Sequence, residues 1–191
     1  SDLAWSGDSE RLIVATGNNG GNMYEAPNWE EVEGTSSTGT GVAHHPTEDK
    51  IWYVGSDGSG NVYEYQDVPL AGKRWVMTRS FTVQGSTFGL TVSPDGDTLQ
   101  TSDGTYLYVY STSDYTPVDT ISNAQGKPKF SYDGSAFLSN YDYRDSLALI
   151  SVQNWNLEEV IEPFYSYNSK IEGSFSSNDS EIFALFADYY D

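Results

Sequence analysis

"SPDGDTLQTSDGTYLYVY", Ser93 to Tyr110, is the stretch whose reading decides the fold. "PDG" and "SDG" supply the proline and glycine dihedrals of tight turns, and the residues that follow each turn run as strands whose successive side chains point to opposite faces. Asp95 and Asp103 then have a local task, because an aspartate at a turn accepts hydrogen bonds from the backbone just beyond it.

The pattern recurs. An apolar strand, an acidic turn and a second apolar strand begin at "LAWSGDSERLIVAT", "VAHHPTEDKIWYVG", "LTVSPDGDTLQTS", "PKFSYDGSAFLSN" and "GSFSSNDSEIFALFA". Aligning Ser6, His45, Ser93, Ser131 and Ser176 gives intervals of 39, 48, 38 and 45 residues. A third strand follows as "NMYEA", "NVYEY", "LYVY" or "LALI", and a fourth as "NWEEV", "WVMTRSFTV", "YTPVDTI" or "NWNLEEVI". Four short strands at this period describe an antiparallel propeller blade. The strands are rich in Val, Ile, Tyr and Trp, as half-buried strands are, and no segment carries a helical period.

The third unit, "VSPDGDTLQTSDGTYLYVYSTSDYTPVDTI", resembles a repeat of the YVTN and WD-repeat-like β-propellers, with "SPDG" in the first turn and "VYST" leaving the third strand. The resemblance implies an all-β propeller of about four and a half blades. That family holds binding platforms and a minority of enzymes, so it narrows fold more than function. Residues 1–191 are expected to form one propeller domain or a section of one, with repeats at about 3–41, 42–89, 90–127, 128–173 and an incomplete 174–191. Three explanations of the incomplete repeat stand side by side: a piece of a longer chain, which ranks first, a ring completed between several chains as a homo-oligomer, or a five-bladed ring with a degenerate last blade.

Charge bounds the partners. The chain has 28 Asp and Glu against nine Lys and Arg, a formal net charge of −19. Phosphate backbones and anionic membrane surfaces both need clustered cations, so nucleic acid and membrane are excluded as expected partners. The acidic excess resembles that of haloarchaeal proteins, whose self-repulsion is screened in concentrated salt. The rival reading is an acidic secreted or phage protein loaded with calcium. Lys73 and Arg74, in the insert "QDVPLAGKR" read as an extended connection to an outer strand, form the only basic pair expected to be exposed, too little for an anion site. The chain has no cysteine, which excludes disulfides and thiol chemistry. Its longest apolar runs, "LALI" and "IFALFA", are too short to span a bilayer as a helix.

His44 and His45 are the two histidines. His45-Pro46 occupies the slot that holds serine in the other units, which gives it the role of bonding the turn backbone. No carboxylate stands at a metal-ligand spacing from them and no serine sits in a nucleophile elbow, so zinc chemistry, a hydrolase triad and catalytic residues are not signalled. The loops between second and third strands, "GNNGGN", "SDGSGN", "SDGTY", "NYDYRDS" and "ADYYD", gather acids and tyrosines instead. The expected partner-binding residues are Asp57, Asp103, Tyr106, Tyr141, Asp142, Tyr143, Asp145 and Tyr189, since tyrosine supplies rigid contact area with one hydroxyl. Calcium is the one cation such oxygen-rich loops could hold, at Asp57, Asp103, Asp142 and Asp145, although none has EF-hand spacing; otherwise no cofactor is expected. The expectation is a non-catalytic recognition or assembly module on an extracellular, cell or virion surface, binding a protein or glycan through this rim. The alternative is an extracellular propeller enzyme of lactonase or sugar-processing type.

Overall fold

Every regular element among the described residues of the computed structural model is a β-strand, which follows from a sequence whose apolar residues alternate between turns every few residues. The structure describes all residues but 1, 16–20, 29, 36–39, 85–88, 142–145, 163–168 and 189–191, and of strand residues 21, 30–35, 169–171 and 186–188 it describes the backbone alone. The first sheet runs β1 (Asp2–Trp5), β2 (Arg11–Ala15), β3 (Gly21–Glu25) and β4 (Glu30–Thr35). The second runs β5 (Gly41–His44), β6 (Lys50–Val54), β7 (Ser59–Val68) and β8 (Gly72–Thr82). The third holds β9 (Leu90–Val92), β10 (Thr98–Ser102), β11 (Tyr106–Ser111) and β12 (Pro117–Ser122), and the fourth β13 (Ala124–Phe130), β14 (Ala136–Tyr141), β15 (Ser146–Ser151) and β16 (Leu157–Ile161). A two-stranded sheet of β17 (Ser169–Phe175) and β18 (Ile182–Asp188) completes the described chain. The four-stranded sheets are ordered as in the chain, and each is a β-propeller blade.

One turn, built the same way each time, opens these sheets. Ser6 Oγ accepts from the Arg11 N–H at 2.9 Å and donates to the Asp8 carboxylate, whose Oδ1 accepts from the Glu10 N–H at 3.0 Å. Ser93 does the same with Thr98 at 2.9 Å and Asp95, and Ser131 with Ala136 at 3.1 Å and Asp133. Ser176 keeps the pattern with Asn178 in place of the aspartate. In the second sheet His45 Nδ1 stands in for the hydroxyl and accepts from Thr47 at 3.2 Å and Glu48 at 3.0 Å, as its slot in the alignment predicts. The fourth residue of the serine turns lies at positive φ: Ser9 61°, Gly96 83°, Gly134 73° and Asp179 56°. Glycine adopts that conformation freely, whereas serine and aspartate adopt it at a cost of roughly 1–2 kcal/mol.

A second device recurs at the other side of each blade. The register between third and fourth strands shifts at Met23/Tyr24, Val62/Tyr63, Val109/Tyr110 and Leu149/Ile150. Beyond each shift, a backbone N–H turns back to the first hairpin: Ala26 to Glu10 O, Tyr65 to Asp49 O, Thr112 to Asp97 O and Val152 to Ser135 O, all within 2.8–3.0 Å. Such shifts bend and twist a strand. Here the bend brings the third strand's exit onto the acidic turn.

The chain divides into two units, Ser1–Val92 and Ser93–Asp191. In the first, Ile13, Ala15 and Met23 of the first sheet pack against Val42, Ile51, Tyr53, Tyr63 and Trp75 of the second. Arg11 ties the same two sheets, reaching Glu25 at 3.2 Å and Asp49 at 2.7 Å while lying 5.0 Å over the Tyr65 ring. Gly7 is obligatory beside them, because a Cβ there would collide with the Pro46 carbonyl. In the second unit Leu107 packs with Ala124, Phe137, Ala148 and Ile150, backed by Phe130 and Trp155. Asp179 also joins two turns of this unit, accepting from the N–H groups of Tyr132 at 2.7 Å and Asp133 at 2.9 Å.

The insert "QDVPLAGKR" is more regular than an extended connection. β7 and β8 continue through it as a paired ribbon to Val68 and Gly72, with fully exposed Leu70 at the tip and positive φ at Leu70 and Gly72. Cross-strand pairing of Tyr65 with Trp75 supplies the packing that carries the ladder outward.

Two outcomes test the turn. Ser93→Ala leaves the Thr98 N–H unmet and is expected to lower unfolding free energy by about 1–3 kcal/mol in urea denaturation. Gly96→Ala places a Cβ at φ 83° and is expected to cost about 1–2 kcal/mol in the same assay.

Candidate functional site

The loop after β10 puts Asp103 where its turn needs an acceptor. Oδ1 takes the N–H groups of Thr105 and Tyr106, each at 2.9 Å, and Oδ2 takes the Tyr108 hydroxyl at 2.7 Å. Burial pushes this carboxyl up, but the Tyr106 N–H, the Tyr108 hydroxyl and the Thr105 N–H outweigh it and hold the group below the usual carboxylate range. Burial and the bond to Asp103 push Tyr108 up to about 12. The result is an ionised carboxylate and a neutral tyrosine across the working pH range. Tyr106, whose ring lies 6.1 Å from that of Tyr108, remains 40% exposed.

Asp57 has a similar local job. Its Oδ1 accepts from the Ser59 hydroxyl at 2.6 Å and the Ser59 N–H at 3.0 Å, which together lower its titration. Tyr141, at the end of β14, lines a groove of about 300 Å³ with Trp155, Ile121, Ser122, Asp119 and Asn156. Trp155 is set there by a positive φ of 56° in the turn before β16, where Asn156 donates its N–H to Asn154 Oδ1 at 3.0 Å. Asp142, Tyr143, Asp145 and Tyr189 lie outside the described residues. Among the described residues, no three His, Asp or Glu side chains converge to hold a metal ion.

Among the described residues, the carboxylates with shifted titration all move in one direction. Asp8, Glu48, Asp57, Asp103, Asp114 and Asp133 each sit below the usual range, held by hydroxyls, backbone N–H groups or, at Glu48, by Lys50. A general acid working near neutral pH needs the opposite displacement.

His44 is buried, with its ring 6.2 Å from Trp75 in an edge-on arrangement. Its Nδ1 donates to the His45 carbonyl, which leaves Nε2 as a buried acceptor without a hydrogen-bond partner among the described residues. Burial lowers its titration below the ordinary histidine value, against the opposing pull of the His45 carbonyl and the charges of Asp49 and Asp8.

A second cavity involves residues that sequence reasoning passed over. About 180 Å³ is enclosed by Lys127, Lys129, Ser139, Asn140 and Glu172 over a floor of Leu138, Leu147 and Gly173. β13 shifts register between Gln125 and Lys129, with Gly126 at φ 74° and Pro128 buried. The shift leaves Lys127 and Lys129 both exposed on the side away from Pro128, so Lys73 and Arg74, contrary to the expectation from sequence, are not the only exposed basic pair. The signal was present in "GKPKF": period two places both lysines on one face, and the proline between them marks an irregular strand.

Blades of this construction define a β-propeller protein. A chain of the hydrazine synthase of Kuenenia stuttgartiensis has a similar structure, with a TM-score of 0.76 at 14% sequence identity over 97% of this chain and 55% of that one. The present chain therefore spans little more than half the length of that chain. With 1108 solved chains matching, the likeness carries the fold and no chemistry. No family model matches the sequence, and no protein of curated function does.

Because folding depresses the His44 titration, the unfolded chain takes up that proton first as pH falls. Its contribution to stability is complete above the ordinary histidine range and is lost on acidification below it. Thermal unfolding midpoints are expected to fall between about pH 7 and about pH 5, and His44→Gln is expected to flatten that fall.

Proposed function

We propose that the chain is a non-catalytic recognition module at an extracellular, cell or virion surface, and that its partner is a glycan. The single observation that carries the reading is the groove lined by Tyr141 and Trp155 together with Ser122, Asp119 and Asn156. Aromatic faces cover the apolar side of a sugar ring, while amide, hydroxyl and carboxylate groups orient its hydroxyls. Tyr106 adds an exposed ring on a turn made rigid by Asp103. The Asp103 carboxylate beside Tyr106 is held ionised within its own turn, which favours fixed presentation over proton transfer.

The repeat pattern supports kinship with the YVTN and WD-repeat-like propellers, and the charge of −19 supports a high-salt setting for this surface role. A protein partner is the second outcome the same tyrosines could serve. A glycan array probed with the whole chain tests the reading: binding to a defined set of neutral glycans is expected, with Trp155→Ala weakening it at least about tenfold and Lys73→Gln leaving it unchanged. Absence of binding across the array, or binding indifferent to Trp155→Ala, overturns it.

A further inference from the structure

We propose that the outer edge of β18 is a self-association site, at which a second copy of this chain adds its own β18 antiparallel about a two-fold axis. In each four-stranded sheet the second strand is paired on both edges, whereas β18 has β17 on one edge and, among the described residues, no partner strand on the other. Pairing two copies joins the β17 and β18 of each into one sheet of four strands, the number in every other sheet.

Residue types distinguish this edge from the others. An open strand edge invites pairing, and chains guard it with charge or proline. The outermost strand of each four-stranded sheet carries such a residue: Glu31 in β4, Lys73 in β8, Pro117 in β12 and Glu159 in β16. By contrast β18 reads "IFALFA" from Ile182 to Ala187, with no charge, proline or glycine, and its Phe183 and Leu185 stand 61% and 67% exposed. A short apolar segment of this composition pairs readily with an identical one.

The ladder to β17 fixes how two copies meet. The Ser176 N–H donates to Glu181 O at 2.9 Å, and hydrogen-bonded pairs alternate along an antiparallel ladder. Phe183 and Leu185 therefore bond to β17, while Ile182, Ala184 and Phe186 turn their N–H and C=O groups outward. Full overlap of Ile182–Asp188 with its copy places the axis at the midpoint, Leu185. Leu185 then faces its own copy as a non-hydrogen-bonded pair, with Cα atoms about 4.5 Å apart, the spacing at which cross-strand side chains approach most closely. Two chains of charge −19 repel each other, and salt at about 1 M screens that repulsion within about 3 Å.

Light scattering on the whole chain in about 1 M potassium chloride tests this. A molar mass twice the 21.1 kDa of one chain is expected. Ala184→Pro removes an outward N–H and none of the bonds to β17, so a folded monomer is expected from it. The chain has no cysteine, so Leu185→Cys installs a single thiol, and mild oxidation is expected to link two copies at least about tenfold faster than in Leu70→Cys, at the exposed ribbon tip. A wild type that stays monomeric overturns the proposal, as does growth beyond two copies, since a two-fold edge pairing closes at two. A folded Ala184→Pro that still dimerises overturns it as well. Should that variant fail to fold, Leu185→Cys decides, and linking no faster than in Leu70→Cys overturns the assignment. The glycan reading is probed at Trp155, in the turn before β16, so either proposal can fail while the other stands.

Discussion

A serine hydroxyl that accepts the N–H five residues on, while donating to an Asp or Asn side chain two residues on, is the contact on which each serine-turned hairpin depends. A strand slipped by one residue turns its whole apolar set toward water, so the first hairpin of a blade must be pinned before its faces mean anything. Ser6, Ser93 and Ser131 are buried, and each closes its turn from within instead of relying on later packing. With that register set, Ile13, Leu99 and Phe137 point inward from the second strands and are fully buried. The register shift between third and fourth strands then returns a backbone N–H to the same turn, so that two remote parts of each blade meet at one place.

This construction alters the meaning of the acidic composition. Asp103 and Asp133 face hydroxyls and backbone N–H groups, whose dipoles stabilise the ionised form without any cation, and at Asp8 the same kinds of group lead, with a smaller pull from Arg11. Their lowered titration means that the stability they lend is present above the ordinary carboxylate range and fades only as pH falls through their depressed values. Part of the charge of −19 is therefore structural. The few cations can then be placed individually: Arg11 fastens two sheets, Lys50 meets Glu48, and Lys127 with Lys129 lines a cavity.

What was legible in the sequence was whatever depends on neighbours along the chain. The turn alignment through Ser6, His45, Ser93, Ser131 and Ser176 recovered the hairpins, and even the substitution of an imidazole for a hydroxyl at His45, because turn chemistry is complete within six residues. The β7–β8 ribbon was harder, since its polar composition conceals a ladder held by Tyr65 against Trp75 across the strands. Asp103 was placed on a contact rim, and the structure shows both its oxygens engaged within the turn; the spacing to Tyr108, on the far arm of the same hairpin, is the signal for that bond. Trp155 and the lysine cavity depend on a positive φ and on a register shift, neither of which is written in the residue types alone.

The β7–β8 ribbon gives the molecule an appendage whose outer end carries none of the packing that holds the blades. Pairing persists to Val68 and Gly72, yet the side chains from Leu70 to Arg74 are exposed and take no part in the buried cluster that begins at Trp75. An exposed tip joined to the body by a continuous ladder is where a chain accommodates foreign residues most readily. A fluorophore or an affinity tag grafted between Pro69 and Ala71 would thus travel on a semi-rigid arm, reporting the orientation of the second blade while leaving its interior unaltered.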